Sequence, residues 1–388
     1  MIFYNFFFYI RSKFDLIVVA SIYYILPVLF LLLTLIQLYY LLGYFSRVSY
    51  YKKKAQPGQP VFPVSIVISA RNEAENLRLH LPSVLEQQYP DFEVIVVNDC
   101  SYDLSSDVLK EMKLRYDHLK IVEIQEDDRF KHGKKFALTL GIKAAKNEHL
   151  LFTDADCAPM STNWLFSMQQ SFEKKEIVLG YSPYFRRKGF LNACARFETF
   201  FTAIQYFGFA LRKNAYMGVG RNLAYTKSIF FRNKGFAAHM HVLSGDDDLF
   251  VNQNATPGNV SVNLDPDSFV ITEAKQTYAS YFRQRLRHMS AGKLYRKNHI
   301  YHLTMIAVSG WLFYLLFILL LFTNFKPEIT LGIFAVRFIA AGILYYPAMK
   351  RLRVGDLWWW YPFLEFIYFL VIPVWAIVGF FRKQRKWN

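Results

Sequence analysis

Leu150-Leu151-Phe152-Thr153-Asp154-Ala155-Asp156 joins an apolar run, long enough for a buried strand, to two carboxylates one residue apart. Inside a sheet, an acid without a partner carries a heavy desolvation cost. At the carboxyl end of a parallel strand, the same acids face the crevice where α/β folds bind ligands. Two hard oxygen ligands there suit Mg²⁺ or Mn²⁺, and such an ion suits a diphosphate. A D-x-D alone is equally a helix cap or a turn. The surrounding pattern has to decide.

Working outward, β-branched or apolar runs at 64–69, 92–97, 120–125, 149–153 and 176–181 read as strands. Helical patterns at 73–88, 103–116, 134–146 and 161–172 separate them. This alternation predicts an α/β fold: a mainly parallel sheet with flanking helices and right-handed crossovers. Arg71, Asn72 and Glu73 then follow the first strand, Asn98 and Asp99 the second, and Asp154 and Asp156 the fourth. Strand ends of one sheet share an edge, so these groups converge on one crevice. Neither G-x-G-x-x-G nor G-x-x-x-x-G-K-[ST] occurs, which argues against a dinucleotide enzyme and a P-loop ATPase. His132-Gly-Lys-Lys135 opens a helix and reads as an anion site or as a solvated basic turn.

Hydrophobicity is unevenly spread over the 388 residues. The 16–45 stretch exceeds the roughly 20 apolar residues that span a bilayer, and it lacks a small-residue cleavage site. Further candidates are 302–325, 329–349 and 357–381. The last is weakened by Pro362 and Pro373 and opened by the interfacial Trp358-Trp359-Trp360. The expected organisation is a membrane anchor over 1–54, an α/β domain over 63–300, and a membrane region over 301–388 with two to three hydrophobic helices. Pro/Gly-rich 56–60 is the first linker. The net charge of +16 gathers beside the membrane segments, at 52–54, 350–353 and 382–386. That distribution favours a membrane over nucleic acid, and it places the middle domain in the cytoplasm. An integral protein of the cell inner membrane is the expectation. Three full C-terminal spans would put the 382–386 cluster outside, so either 357–381 is re-entrant or interfacial, the favoured expectation, or the charge rule is broken there. Cys100, Cys157 and Cys194 lack metal-site spacing and fit a reduced compartment.

Three later stretches add chemistry. Aromatic 190–217 reads as a packed core helix or as one lying against the membrane. Ser244-Gly-Asp-Asp-Asp248 crowds three acids, so at least one needs a cation or a raised pKa; such a carboxylate can serve as general base. Arg283-Gln-Arg-Leu-Arg-His288 offers guanidinium forks for a diphosphate, or merely juxtamembrane charge.

From about Pro63 to Leu294 the order of these motifs resembles a membrane-anchored family 2 glycosyltransferase of GT-A fold, akin to ceramide glucosyltransferase-like and processive polysaccharide synthase-like enzymes. The resemblance implies that Ala70, Arg71 and Glu73 border the uridine and that Asp99, in Val97-Asn-Asp-Cys-Ser101, contacts the base. Asn98 and Cys100 depart from the family's V-D-D-G-S. Gly133-Lys134 with Ala137-Leu138 is similar to G-K-x-x-A-L, and Asp154 and Asp156 would hold the metal, Mg or Mn. Gly245-Asp-Asp-Asp248 resembles the acceptor-side E-D element, making Asp247 the implied base beside Asp246, with Asp248 as the alternative. Gln284, Arg285, Arg287 and His288 resemble (Q/R)-x-x-R-W, with His288 in place of the aromatic. The implied reaction is inverting transfer from a nucleotide-sugar, expected to be a UDP-sugar, to a hydroxyl of a lipid or glycan acceptor. Processive synthesis is the alternative within enzymes. A non-catalytic membrane-bound protein that binds nucleotide-sugar or nucleic acid ranks lower, because every acidic station is present.

Overall fold

A computed structural model describes residues 25–52, 61–126, 133–172, 175–242, 244–323 and 326–381. The start of the 16–45 run, Lys53 and Lys54, the 56–60 linker, His132, the 324–325 turn and the 382–386 cluster lie outside the described residues.

Helix α1 (Ile25–Ser49) precedes the α/β domain. In chain order the domain runs β1 (Val64–Ala70), α2 (Ala74–Leu85), β2 (Phe92–Asp99), α3 (Ser105–Lys113), β3 (Leu119–Ile124), α4 (Lys134–Ala144), β4 (His149–Phe152), β5 (Cys157–Pro159), α5 (Trp164–Gln170) and β6 (Ile177–Leu179). It continues through α6 (Phe190–Leu211), β7 (Leu223–Thr226), α7 (Lys227–Arg232), α8 (Asp248–Asn254), β8 (Val260–Val262), β9 (Val270–Thr272) and α9 (Tyr278–Gly292). Then follow α10 (Lys297–Phe322), α11 (Pro327–Arg351) and α12 (Tyr361–Phe381).

The main sheet has the order β3-β2-β1-β4-β7-β6-β8. The first four strands pair in parallel, as their nearly continuous Val/Ile/Leu runs require of strands covered on both faces. Helix α4 lies close on this sheet, because a Cβ on Gly141 would stand 2.5 Å from a methyl of Val67. The 176–181 strand does not simply extend the parallel set. β7 intervenes, antiparallel to both β4 and β6. Its approach segment therefore arrives at the carboxyl end of β4, where Leu223 pairs with Phe152. A small sheet of β5 and β9 ties the chain after Asp156 to Thr272, whose hydroxyl donates to the Asp156 carbonyl at 2.9 Å.

Helix α6 is a core helix joining the α/β domain to the apolar helices. Its Tyr206 hydroxyl donates to the Gly180 carbonyl, while Phe201 and Phe209 meet Phe45 and Tyr44 of α1. Among the described residues, four helical stretches are long and apolar enough to cross a membrane: Ile25–Ser49, Lys297–Phe322, Pro327–Arg351 and Gly355–Trp375. The last begins with a 3-10 turn (Gly355–Trp360). Helix α12 also touches the domain along much of its length. Phe363 and Tyr368 meet Phe190 and Phe197 of α6, and Trp375 meets Tyr281 of α9.

An ion pair joins these apolar helices. Arg337 of α11 makes two contacts with Glu365 of α12, one of them 2.9 Å; both side chains are almost wholly buried. Tyr314 and Tyr345 hydroxyls donate to the same carboxylate, and Gln37 of α1 accepts from Arg337 at 3.0 Å. Gln37 in turn donates to Ser309 of α10, so all four helices meet here. A lone charge in such surroundings is strongly unfavourable, whereas a fully hydrogen-bonded pair is tolerated. Glu365→Gln should therefore lower stability by about 3–5 kcal/mol in a thermal-unfolding measurement in detergent, with Arg337→Met/Glu365→Met recovering most of the loss.

Candidate active site

The ends of β2, β1, β4 and β7 stand side by side along one edge of the sheet, and each supplies polar groups. The loops after β1 and β2 are tied together. The Asn72 amide donates to Ser101 Oγ at 2.9 Å, Tyr102 N donates to Asn72 Oδ1, and Glu73 and Ala74 amides donate to Ser105 and Asp103. Asn72 and Cys100 both adopt left-handed backbone, φ 55° and 52°. Cys100 thus keeps the conformation that a glycine adopts at little cost, at a penalty of about 1–2 kcal/mol. Asn98 turns from the crevice to bond Ser106 and Glu123 at 2.8 Å each, a structural tie. Asp99 is buried beside the Cys100 thiol.

Lys134 opens α4 and reaches two carboxylates, Asp154 at 2.8 Å and Asp246 at 3.1 Å. Burial alone would discharge it, but Asp154, Asp246 and Asp247 outweigh that and hold its pKa well above the usual lysine value. Lys135, next in sequence, is buried and donates instead to the carbonyls of His239 and Val242. Of the two lysines expected at an anion site, one faces the crevice and the other anchors the segment leading to Gly245. Gly245 has φ 95°, and a Cβ there would stand 2.4 Å from Leu249, so the turn presenting the acids requires glycine.

Three consecutive carboxylates have three environments. Asp246 faces Lys134, whose charge overcomes burial and lowers its pKa. Asp247 accepts the amides of Gly220 and Asp248 at 2.7 Å each; burial and Asp246 raise its pKa. Asp248 accepts from the Tyr295 hydroxyl at 2.7 Å and the Leu249 amide, and burial with Asp247 pushes its pKa up to about 7. Across the crevice, Glu73 is also raised, by burial and by Asp156 and Asp154.

A cavity of about 940 Å³ opens from these groups. Lys134, Asp154, Asp156, Asp246, Asp247, Asp248, Gln284, Arg285, Arg287 and His288 all line it. Ala70, Arg71, Glu73 and Asp99 are not among its lining residues. They stand farther along the same edge, beyond the Asp154–Asp156 turn. Burial and the charges of Arg285 and Arg287 keep the His288 imidazole well below its usual pKa, hence neutral, although its surface is open to the cavity.

Some lining residues escaped the sequence reading. Arg221, on the turn before β7, lies 4.9 Å over the Tyr184 ring and close enough to Asp156 to feel its charge. Glu198 of α6 pairs with Arg285 at 3.1 Å and accepts from Tyr281. The antiparallel direction of β7 delivers Arg221 to this edge, and alternation of strands and helices carries no signal for it. The oxygens of Asp154 and Asp156 and the sulfur of Cys157 lie within 4.8 Å of one another. Burial and Asp156 hold the Cys157 thiol protonated, leaving two hard carboxylate donors. That set fits Mg²⁺ or Mn²⁺ rather than a soft metal.

The strand ends of one mainly parallel sheet thus carry D-x-D, a lysine at a helix start and an acidic turn. Residues 65–234 match the family Glycosyl transferase family 2. Poly-beta-1,6-N-acetyl-D-glucosamine synthase of Staphylococcus epidermidis is 34% identical over 116 residues, 30% of this chain and 27% of the relative. Glycosyltransferase AglE of Haloferax volcanii is 36% identical over 104 residues, 26% of this chain and 33% of AglE. The matches thus span about a third or less of these curated relatives. The mannosyltransferase PcManGT from Pyrobaculum calidifontis, solved with GDP-Man and Mn²⁺, superposes with a TM-score of 0.55 at 17% identity, covering 90% of this chain and 99% of PcManGT. That likeness establishes the GT-A-like fold.

The raised Asp248 carboxyl has a consequence for stability. Its favourable term is complete below about pH 4, the unfolded value, and is lost as pH rises toward about 7. Between those limits the stability of Asp248→Asn relative to the parent should shift in the variant's favour, at up to about 1.4 kcal/mol per pH unit. Chemical denaturation at a series of pH values checks the slope.

Proposed function

We propose that the chain transfers a sugar from a nucleotide-sugar, with a divalent ion, to a hydroxyl of a membrane-associated acceptor, with inversion. The carrying observation is that Asp154, Asp156, Lys134, Asp246 and Asp247, from three separate stretches of sequence, border one cavity. Arg71, Glu73, Asp99 and the Ala70 backbone would hold the nucleoside, in the domain that runs from about residue 63 to 300. UDP is the expected nucleotide; the GDP-Man complex of PcManGT keeps GDP in play.

Asp154 and Asp156 would hold Mg²⁺ or Mn²⁺, which when bound neutralises charge on the diphosphate. Lys134 adds a cation beside Asp154, and Arg221, Gln284, Arg285 and Arg287 line the same cavity. Asp247, fixed by two backbone amides, takes the proton from the acceptor hydroxyl. The acceptor oxygen bonds the anomeric carbon from the face opposite the diphosphate. The bond from that carbon to the diphosphate breaks, and its electron pair leaves with the nucleotide. Asp246, neutralised by Lys134, keeps a second charge from competing for the proton. Neutral His288 offers a hydrogen bond to sugar or acceptor without adding charge.

Repeated addition to a growing polysaccharide is the second reading, favoured by the similarity to a poly-N-acetylglucosamine synthase. The size of the radiolabelled product separates single from repeated transfer. Asp156→Asn should abolish metal-dependent nucleotide binding and turnover together. Asp247→Asn should keep UDP or GDP binding in Mn²⁺ while turnover falls by about 10²–10⁴-fold. Titration calorimetry beside a turnover assay reads both, and an active Asp247→Asn enzyme would shift the base to Asp248.

A further inference from the structure

The cavity does not end at the carboxylates. It continues between α10 and α12, both apolar enough to lie in a bilayer. On α10 its wall is Ile300, Leu303, Thr304, Ile306, Ala307, Val308 and Trp311. All of these but Ile306 recur every three or four residues, so one main face of the helix lines the cavity over about 16 Å, at 1.5 Å per residue. The facing wall on α12 is Tyr368, Phe369, Ile372, Pro373, Trp375 and Ile377, apolar apart from the Tyr368 hydroxyl and the Trp375 indole N–H. The two helices meet at Gly310, where a Cβ would collide with the Phe369 ring; this contact closes one side of the cleft.

We infer that the acceptor is a hydroxyl-bearing lipid whose hydrocarbon chain lies between α10 and α12 while its head group reaches Asp247. Three observations carry this. The cleft is continuous with the carboxylates, so one amphiphile can occupy both ends. Its membrane half is lined mostly by hydrocarbon: of the seven α10 and six α12 residues, only Thr304, Trp311, Tyr368 and Trp375 bear side-chain hydrogen-bonding groups. A sugar chain passing there would leave most of its hydroxyls without partners, at a desolvation cost that a hydrocarbon chain avoids. Finally, Val308 and Ile377 are 45% and 59% exposed, so the cleft opens sideways, where a lipid can enter from the bilayer.

The inference rests on the transferase reading above, and its test separates the two. Full-length protein in lipid nanodiscs is irradiated with hexadecanol carrying a mid-chain diazirine, and adducts are mapped by mass spectrometry. Adducts on the cleft faces of α10 and α12 should exceed those on lipid-facing Ile339 and Ile343 of α11 by about tenfold, the excess of a seat favoured by about 1.4 kcal/mol. Ala307→Trp fills the cleft and should bring its labelling down to the outer-face level; Ile343→Trp should leave it unchanged. UDP and GDP titrations in Mn²⁺ on the same samples report folding and the donor site. Uniform labelling, or cleft labelling unmoved by Ala307→Trp, overturns the lipid seat even where nucleotide binds. Failure of the parent protein to bind either nucleotide overturns the transferase reading beneath it.

Discussion

One ammonium group holds the crevice together. Lys134 stands between Asp154, at the end of β4, and Asp246, on the turn before α8, and each contact spans a long stretch of chain. Without a cation at that point, two partly buried carboxylates would face each other across a low-dielectric gap, and their repulsion would spread the turn from the sheet. With it, Asp246 stays charged and Asp247 is left as the acid whose proton affinity is raised. The chemistry proposed for the site therefore depends on a charge arrangement settled before any substrate arrives.

The four apolar helices obey the same rule around a buried ion pair. Arg337 and Glu365 are tolerated because Tyr314, Tyr345 and Gln37 complete their hydrogen bonds. A network with those members can form in one arrangement of the four helices, so it selects register more than it adds stability. Helix α6 transmits that arrangement to the domain, since its aromatic face packs on Tyr44, Phe45 and Tyr345.

Much of this was legible in the sequence, for identifiable reasons. The parallel strands were readable because burial on both faces demands continuous apolar runs, and the acids were readable because they interrupt such runs at their ends. The pairing of β7 was not, because Leu223–Thr226 is four residues long and its direction depends on where β4 and β6 already lie. Arg221 was lost with it. Lys134 was singled out by its place after Gly133, whereas composition alone does not say which of two neighbouring lysines faces the crevice. Cys100 looked like a departure from a glycine position; the left-handed turn persists because hydrogen bonds from the neighbouring loop hold it. Helix α12 combined an apolar composition with prolines, and its contacts with α6 and α9 are long-range packing that no local pattern encodes.

The sideways mouth between α10 and α12 has a kinetic consequence. An enzyme that meets one reactant from water and the other through such a mouth works at the meeting of a three-dimensional and a two-dimensional solution. For the second reactant, encounter frequency follows its mole fraction among neighbouring lipids, not its molarity. Diluting the leaflet with inert phospholipid would then slow the reaction as surely as removing the reactant.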